Sequence, residues 1–314
     1  MKKIVIIGIG AVGAATAYTL ASQGICNELV LIDANHDKAV SESLDICHAL
    51  PLIGDMDVCA GGYEDCANAD VIIIAAGWPR IPSGTRLDLA AGNSAICKQI
   101  VSNLKPFYTG GVILVATNPV DVLTVLITEE MGLPAGRVIG SGTVLDGARL
   151  RYVLSRQLGI DAGDVHGYVL GEHGDSMLIA WSLSHISGMN VERYFELAGH
   201  KLDESEKNAI YKQVQKGSSG VLKGKGHTSF AIAASLAAIS RAICENSSSI
   251  YTVSTVLDGA YGIRGAAVSV PSVVGKDGVS GVIEYPLAKA ELEALQGSAI
   301  QIQATLKVAS ENPC

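Results

Sequence analysis

Four short stretches of the chain are almost wholly apolar and rich in β-branched residues: Ile4–Ile7, Glu28–Ile32, Val71–Ala75 and Val112–Ala116. Runs this short and continuous suit strands buried on both faces of a parallel sheet, because a half-exposed strand would alternate. Between them the apolar spacing is helical, as over Ala14–Gln23 and Ala39–Ala49. Alternation of strand and helix predicts a doubly wound sheet with right-handed crossovers. The rhythm changes around Gly140–Thr143. Longer helical segments follow, at Gly147–Leu158, Ser205–Gln215, Ser229–Cys244 and Lys289–Ala309, with strand pairs near Val165–Leu170 and Ala266–Val274. The expected architecture is an α/β chain in two domains: an N-terminal doubly wound parallel sheet over 1–141 and a C-terminal α+β domain over 142–314.

Gly8-Ile9-Gly10-Ala11-Val12-Gly13 is a G-x-G-x-x-G lying between the first strand and the first helix, and Asp33 ends the next strand. In that context the motif is a dinucleotide-binding (Rossmann) fingerprint. Gly8 allows the tight turn, Gly10 lets the backbone approach a pyrophosphate, and Gly13 lets helix and strand pack closely. Asp33 can accept bonds from the ribose hydroxyls and repels a 2′-phosphate, and no arginine follows in Ala34-Asn35-His36. The residues therefore predict NAD rather than NADP.

Composition narrows the reading further. A chain of 314 residues suits two packed lobes. Only 17% of it is charged, against about 25% in a typical soluble domain, and mean hydropathy is +0.33. No apolar run approaches the ~20 residues of a membrane span, and Arg241 stops the run Phe230–Ser240. Sparse charge without a membrane predicts hidden surface, in the sheet and at a subunit interface that would cover Phe230–Ser240 and Gly259–Val274. A net charge of −8 argues against nucleic acid. Seven cysteines without a CxxC read as reduced thiols in a cytoplasmic protein. The chain opens directly on its first strand, so neither a signal peptide nor an N-terminal arm is expected.

Four further segments carry polar groups at positions suited to chemistry. Asn118 ends a buried strand, where open α/β sheets bind ligands. Asp146 and Arg149 are three apart on a predicted helix and share a face. His173 sits in the loop Gly171-Glu172-His173-Gly174-Asp175. Arg80 and Arg86 bracket a Pro/Gly/Ser-rich segment, Pro79–Thr85, with the composition of a lid. Oxidation of a secondary alcohol needs a group that takes its proton while hydride leaves, and histidine suits that role. A carboxylate can orient the histidine, and arginines can fork a substrate carboxylate or polarise a carbonyl. Each residue singly also has an ordinary reading, as a surface arginine, a helix ion pair or a loop histidine. A silent NAD-binding module would lack one of these groups. A metal-dependent hydrolase lacks support, with no HExxH motif in the sequence.

Together these motifs resemble the L-lactate/L-malate dehydrogenase family over essentially the whole chain. The carrying segments are GIGAVG with Asp33, GGYEDCANADVII, AAGWPRIPSGTRLDL, ATNPVDVLT, RVIGSGTVLDGARLR, GEHGDS, GKGHTS and VSTVLDGAYGI. The resemblance implies an NAD-dependent oxidoreductase of L-2-hydroxy acids, cytoplasmic, in glycolysis or fermentation, and a homotetramer or homodimer. It implies that His173 exchanges the proton, Asp146 orients it, Arg149 forks the substrate carboxylate and Arg86 polarises the carbonyl. It places Asn118, Thr117 and Ser141 near nicotinamide and substrate, Val12 on the pyrophosphate turn and Tyr63 beside adenine. Gly77 would lie beside the cofactor, Ile232 would back the nicotinamide, and Thr228 would line the substrate pocket. Arg80 stands at the position that reads the substrate side chain, where arginine goes with malate and glutamine with lactate. Thr228 and several segments match the lactate branch, so lactate is the first reading, and malate or a broader 2-hydroxy acid remain open. Arg151 and His166 match the two positions that bind fructose 1,6-bisphosphate in allosteric bacterial lactate dehydrogenases, while their ordinary reading is an interface pair.

Overall fold

The structure, a computed structural model, describes residues 2–78 and 86–311. Six parallel strands form the first half of its main sheet: β1 (Lys3–Ile7), β2 (Glu28–Ile32), β3 (Asp57–Ala60), β4 (Val71–Ile74), β5 (Val112–Val115) and β6 (Val138–Gly140). They lie in the order β3-β2-β1-β4-β5-β6. The apolar runs are continuous because both faces are covered. Ile4, Ile6, Leu29, Leu31, Ile73 and Leu114 pack on one face against α1 (Ala11–Ser22) and α2 (His36–Ile53). The alternate residues Val5, Ile7, Val30, Ile32, Ile72 and Val115 pack on the other against α3 (Arg86–Leu104) and α4 (Val120–Met131). The strand order reverses between β1 and β4, and an open sheet of this kind leaves a crevice at that point, outside its carboxyl ends.

Beyond β6 the chain enters α5 (Val144–Leu158) and five two-residue strands: β7 (Val165–His166), β8 (Val169–Leu170), β9 (Leu178–Ile179), β10 (His185–Ile186) and β11 (Met189–Asn190). The helices α6 (Val191–Leu197), α7 (Glu204–Gln215), α8 (Gly217–Lys225) and α9 (Phe230–Glu245) follow. Three long antiparallel strands, β12 (Ser249–Asp258), β13 (Arg264–Gly275) and β14 (Gly278–Val282), precede the last helix, α10 (Lys289–Glu311). The main sheet crosses the predicted domain boundary. β12 pairs with β6 through Ser254 and Gly140, so β13 and β14 extend the sheet to nine strands among the described residues.

Several elements differ from the sequence expectation for local reasons. The first helix begins at Ala11 rather than Ala14, because extended Gly10 is its N-cap and Gly13 already lies inside it. The second begins at His36 rather than Ala39, since the Asn35 side chain accepts the Lys38 N–H at 3.3 Å and caps the turn. Much of the stretch Gly259–Val274 is covered within the chain itself, although Gly262, Arg264 and Gly265 are exposed. Ala266–Val270 is buried within the chain, against Leu295, Ala299 and Ile302 of α10 among others. In α9, too, Ala233, Leu236, Ala237 and Ile239 are buried within the chain, and Phe230 at its start is 75% exposed. Burial within the chain therefore accounts for part of the low charge fraction.

Candidate active site

The fingerprint glycines stand at the carboxyl end of β1 and each is required for a different reason. Gly8 has φ +98°, and a Cβ there would lie 2.3 Å from the Ala76 backbone nitrogen on the neighbouring strand end. A Cβ on Gly13 would lie 2.0 Å from the Gly8 carbonyl, so only glycine lets α1 seat against β1. Gly10 has open space around it. The first turn of α1 carries no side-chain cap and no acidic residue. Its free N–H groups and the positive end of the helix dipole therefore face the crevice, as a pyrophosphate requires. The Asp33 carboxylate accepts the Ile9 N–H at 2.7 Å and the Asn35 N–H at 2.9 Å. A carboxylate has room for about four such bonds, which leaves acceptors for ribose hydroxyls. The residues present fit NAD.

Next to this turn lies a cavity of about 520 Å³. Val12, Gly77, Thr117, Asn118, Ser141, Asp146, Arg149, His173, Thr228 and Ile232 all line it, as the sequence reading grouped them. The Thr117 hydroxyl donates to the Ala76 carbonyl at 2.7 Å, tying the ends of β5 and β4 together. Tyr63 is not brought to the cavity. Its half-buried ring packs against the core on the α3 side of the sheet, and its hydroxyl bonds to Asn103. Arg80, the segment 79–85 and the Arg86 side chain lie outside the described residues, and Arg86 opens α3.

His173 is the centre of the polar cluster. Its Nδ1 lies 2.6 Å from Asp146 Oδ2, and Arg149 Nη1 donates to the other carboxylate oxygen at 2.8 Å. The Asp146 side chain is 3% exposed, whereas that of His173 keeps 24% of its surface open. Burial by itself would raise the Asp146 carboxyl, but His173 and Arg149 outweigh it and hold the group below the usual carboxylate range. Burial likewise opposes charge on His173, yet Asp146, with a further contribution from Asp121, lifts its proton affinity above the ordinary value. The Nδ1–H donates to the Asp146 carboxylate, which leaves Nε2 as the nitrogen for a substrate. Arg149 is seated by Gly217 at the start of α8, where a Cβ would lie 2.9 Å from the arginine Cδ.

The loop that carries His173 is gripped from three sides. Gly171 has φ +91° and exchanges two hydrogen bonds with Ser269 of β13, each 3.0 Å long. The Glu172 N–H donates to Ser298 Oγ of α10 at 2.6 Å, and the His173 N–H donates to Asp121 Oδ2 of α4 at 2.8 Å. Sequence reasoning missed Asp121, although a carboxylate in the apolar run Val120–Ile127 is a visible anomaly. It also missed Asn93, which lies in an unremarkable helical stretch. The Asn93 amide accepts the Trp78 N–H at 2.7 Å and donates to the Asn118 carbonyl at 2.6 Å, clamping two edges of the cavity. Trp78 lines the cavity too, its ring seated on Gly92, where a Cβ would lie 2.7 Å from Cε3.

Arg151 and His166 lie away from this cavity. Arg151 donates through Nε and Nη2 to the Ala162 carbonyl at 3.1 and 2.9 Å. The His166 ring stacks on His185 at 4.6 Å, and partial burial followed by His185 and Arg151 lowers its proton affinity.

A nucleotide-binding turn beside a buried Asp–His–Arg cluster is the site of a hydride-transferring dehydrogenase. The family signature of the lactate/malate dehydrogenase NAD binding domain matches residues 2–140, and that of the lactate/malate dehydrogenase alpha/beta C-terminal domain matches residues 143–312. The chain belongs to the lactate/malate dehydrogenase family, and its cofactor is NAD. It is 44% identical over 307 residues to an L-lactate dehydrogenase of Thermoanaerobacter sp. (strain X514), covering 98% of this chain and 99% of that protein. Its fold matches the ligand-bound crystal structure of the minor L-lactate dehydrogenase from Enterococcus mundtii, with TM-score 0.94, 38% identity and 98% of each chain covered. The L-lactate dehydrogenase of Clostridium thermocellum matches with TM-score 0.86, 43% identity and coverage of 98% and 99%.

Proposed function

We infer that this protein is an NAD-dependent L-lactate dehydrogenase that interconverts pyruvate and L-lactate, with His173 as the proton carrier. The observation that carries the reading is the His173–Asp146–Arg149 cluster on the wall of the cavity that the nucleotide turn opens into. NAD bound there supplies the hydride acceptor, and in its reduced form the donor. The protein supplies the rest. Arg149 keeps one edge of its guanidinium on Asp146 and offers its remaining N–H groups to the substrate carboxylate. In reduction, protonated His173 gives its Nε2 proton to the carbonyl oxygen as it becomes a hydroxyl. Asp146 steadies the imidazolium beforehand, and in oxidation Nε2 takes the alcohol proton back. Asn118 positions the substrate beside His173, Thr228 closes the pocket, and Arg86 polarises the carbonyl.

The lactate assignment rests on the full-length likeness to L-lactate dehydrogenases together with Thr228 on the cavity wall. Arg80, at the position that reads the side chain, supports malate as the second reading, with a broader 2-hydroxy acid after it. Rates of NADH oxidation with pyruvate, oxaloacetate and 2-oxoisocaproate separate the three. Pyruvate ahead is expected, and oxaloacetate far ahead overturns the assignment.

We place the division of the chain at 141/142, and we place the protein in the cytoplasm, in keeping with free thiols at Cys26, Cys66, Cys97 and Cys244. No described helix is long and apolar enough to cross a membrane. We propose a homodimer or homotetramer, supported by Phe230 at 75% and Leu52 at 89% exposure. Light scattering at the mass of a monomer would contradict it. To Arg151 and His166 we assign fructose 1,6-bisphosphate, held between symmetry-related subunits, with the Arg151 guanidinium supplying the positive charge. A leftward shift of the pyruvate saturation curve on adding the bisphosphate is expected; an unmoved curve removes the assignment.

A further inference from the structure

We propose that Asp121 is a positioning residue for the proton transfer: it holds the backbone of His173, and its negative charge, added to that of Asp146, favours the imidazolium. The proposal rests on the reading above that His173 carries the proton.

Asp121 lies in the first turn of α4, three residues after Asn118, and is 2% exposed. Its Oδ2 accepts the His173 N–H at 2.8 Å. Its Oδ1 faces the Ser254 hydroxyl of β12 without a hydrogen bond of good geometry, and among the described residues neither atom has another hydrogen-bond partner. One backbone N–H is a small reward for burying a carboxylate. A neutral amide would accept the same bond at far lower desolvation cost, since burying an ionised group is among the most expensive steps in folding. What the amide could not supply is charge. The charge has a supporter in the positive N-terminal end of α4, on which it sits.

Among the described residues, Asp146 and Arg149 face His173 from α5, Asp121 faces it from α4, and Glu172 and Asp175 lie beside it on its own loop. The groups contributed by β12, β13 and α10 nearby are the hydroxyls of Ser254, Ser269 and Ser298. Arg149 opposes protonation of His173, and the two aspartates favour it. Asp121 in turn faces His173, Glu172 and Ser254, and burial pushes its own carboxyl up to about 6. It therefore loses its charge toward the acid side of neutrality, and the support it lends to the imidazolium weakens there. The same turn of α4 follows Asn118 directly, so one rigid segment places both the cavity asparagine and the carboxylate behind the histidine.

The test is the Asp121→Asn enzyme, which keeps the acceptor for the His173 N–H and removes the charge. The alkaline limb of kcat/KM for pyruvate reduction should move to lower pH by about half a unit to one unit. A several-fold loss of kcat should accompany it, with NADH affinity and Tm close to wild type. Asp121→Ala, which removes the acceptor as well, should lose activity further and lower Tm. An Asn variant whose profile keeps its midpoint, whatever its activity, overturns the proposal and leaves Asp121 a structural ligand of the loop. Should the Asn variant fail to fold, NMR titration of the His173 ring in the wild-type enzyme decides. A second, smaller inflection on the acid side of the main one supports the proposal, and a single smooth curve overturns it. His173→Ala separates the two layers. If that variant turns over pyruvate normally, the proton-carrier reading fails. If it is inactive while Asp121→Asn leaves the profile in place, only the present inference fails.

Discussion

Replacing Asp146 with asparagine is the sharpest probe of the cluster. In the structure each carboxylate oxygen has a cationic or cationisable partner, His173 Nδ1 at 2.6 Å and Arg149 Nη1 at 2.8 Å. Asparagine offers one oxygen and one NH2. Arg149 can only donate, so the amide oxygen turns toward it and the NH2 faces Nδ1. That forces the ring proton onto Nε2, the nitrogen that must accept the alcohol proton in oxidation. In reduction it leaves a neutral imidazole to act as the acid. Losing one partner of a buried charged pair is worth about 2–4 kcal/mol here, toward the lower end because His173 is open to the cavity. That equals about 1.5–3 units in the proton affinity of His173. Steady-state NADH oxidation with pyruvate near neutral pH should then fall roughly 30- to 1,000-fold in kcat/KM, with the alkaline limb shifted downward. NADH binding, measured by fluorescence titration, should change little. A variant within about threefold of wild type and with the same pH profile would refute the assigned roles of both residues.

Three further outcomes follow from the same geometry. Reduction needs the imidazolium, and the proton affinity of His173 is raised, so reduction should be sustained through neutrality and lost as pH rises through that raised value. Oxidation should run the opposite way, and parallel profiles in the two directions would exclude His173 as the shared proton carrier. Gly10→Ala adds a methyl into open space, so Tm should hold while the NADH Kd rises about tenfold or more. An unchanged Kd would move the pyrophosphate elsewhere. Asp33→Ser removes the carboxylate held by Ile9 and Asn35, and the preference for NADH over NADPH in kcat/KM should drop about tenfold or more; an unaltered preference would mean the discrimination lies at another residue.

Much of the site was legible in the chain because its parts are local. The glycine turn and Asp33 each follow a strand whose end is marked by composition, and Asp146 and Arg149 share a helix face by spacing alone. The residues that escaped notice act across long sequence separations. Asn93 joins Trp78 to Asn118, and Ser298 reaches the Glu172 backbone over 126 positions. An asparagine in mid-helix or a serine midway along α10 carries no local mark of such a duty.

By itself the sequence determined the layer structure of the first half, the nucleotide turn and the choice of NAD, and it offered His173 as a candidate proton carrier. These follow from period, from steric need for glycine and from intrinsic proton affinity, all properties of short segments. Tertiary structure alone decided that β12–β14 would extend the same sheet past β6. It also decided that two carboxylates from different helices, Asp146 and Asp121, would converge on His173. The reason is that a desolvated charge acts over the few ångströms set by packing, and packing brings together groups whose positions in the chain say nothing about their distance.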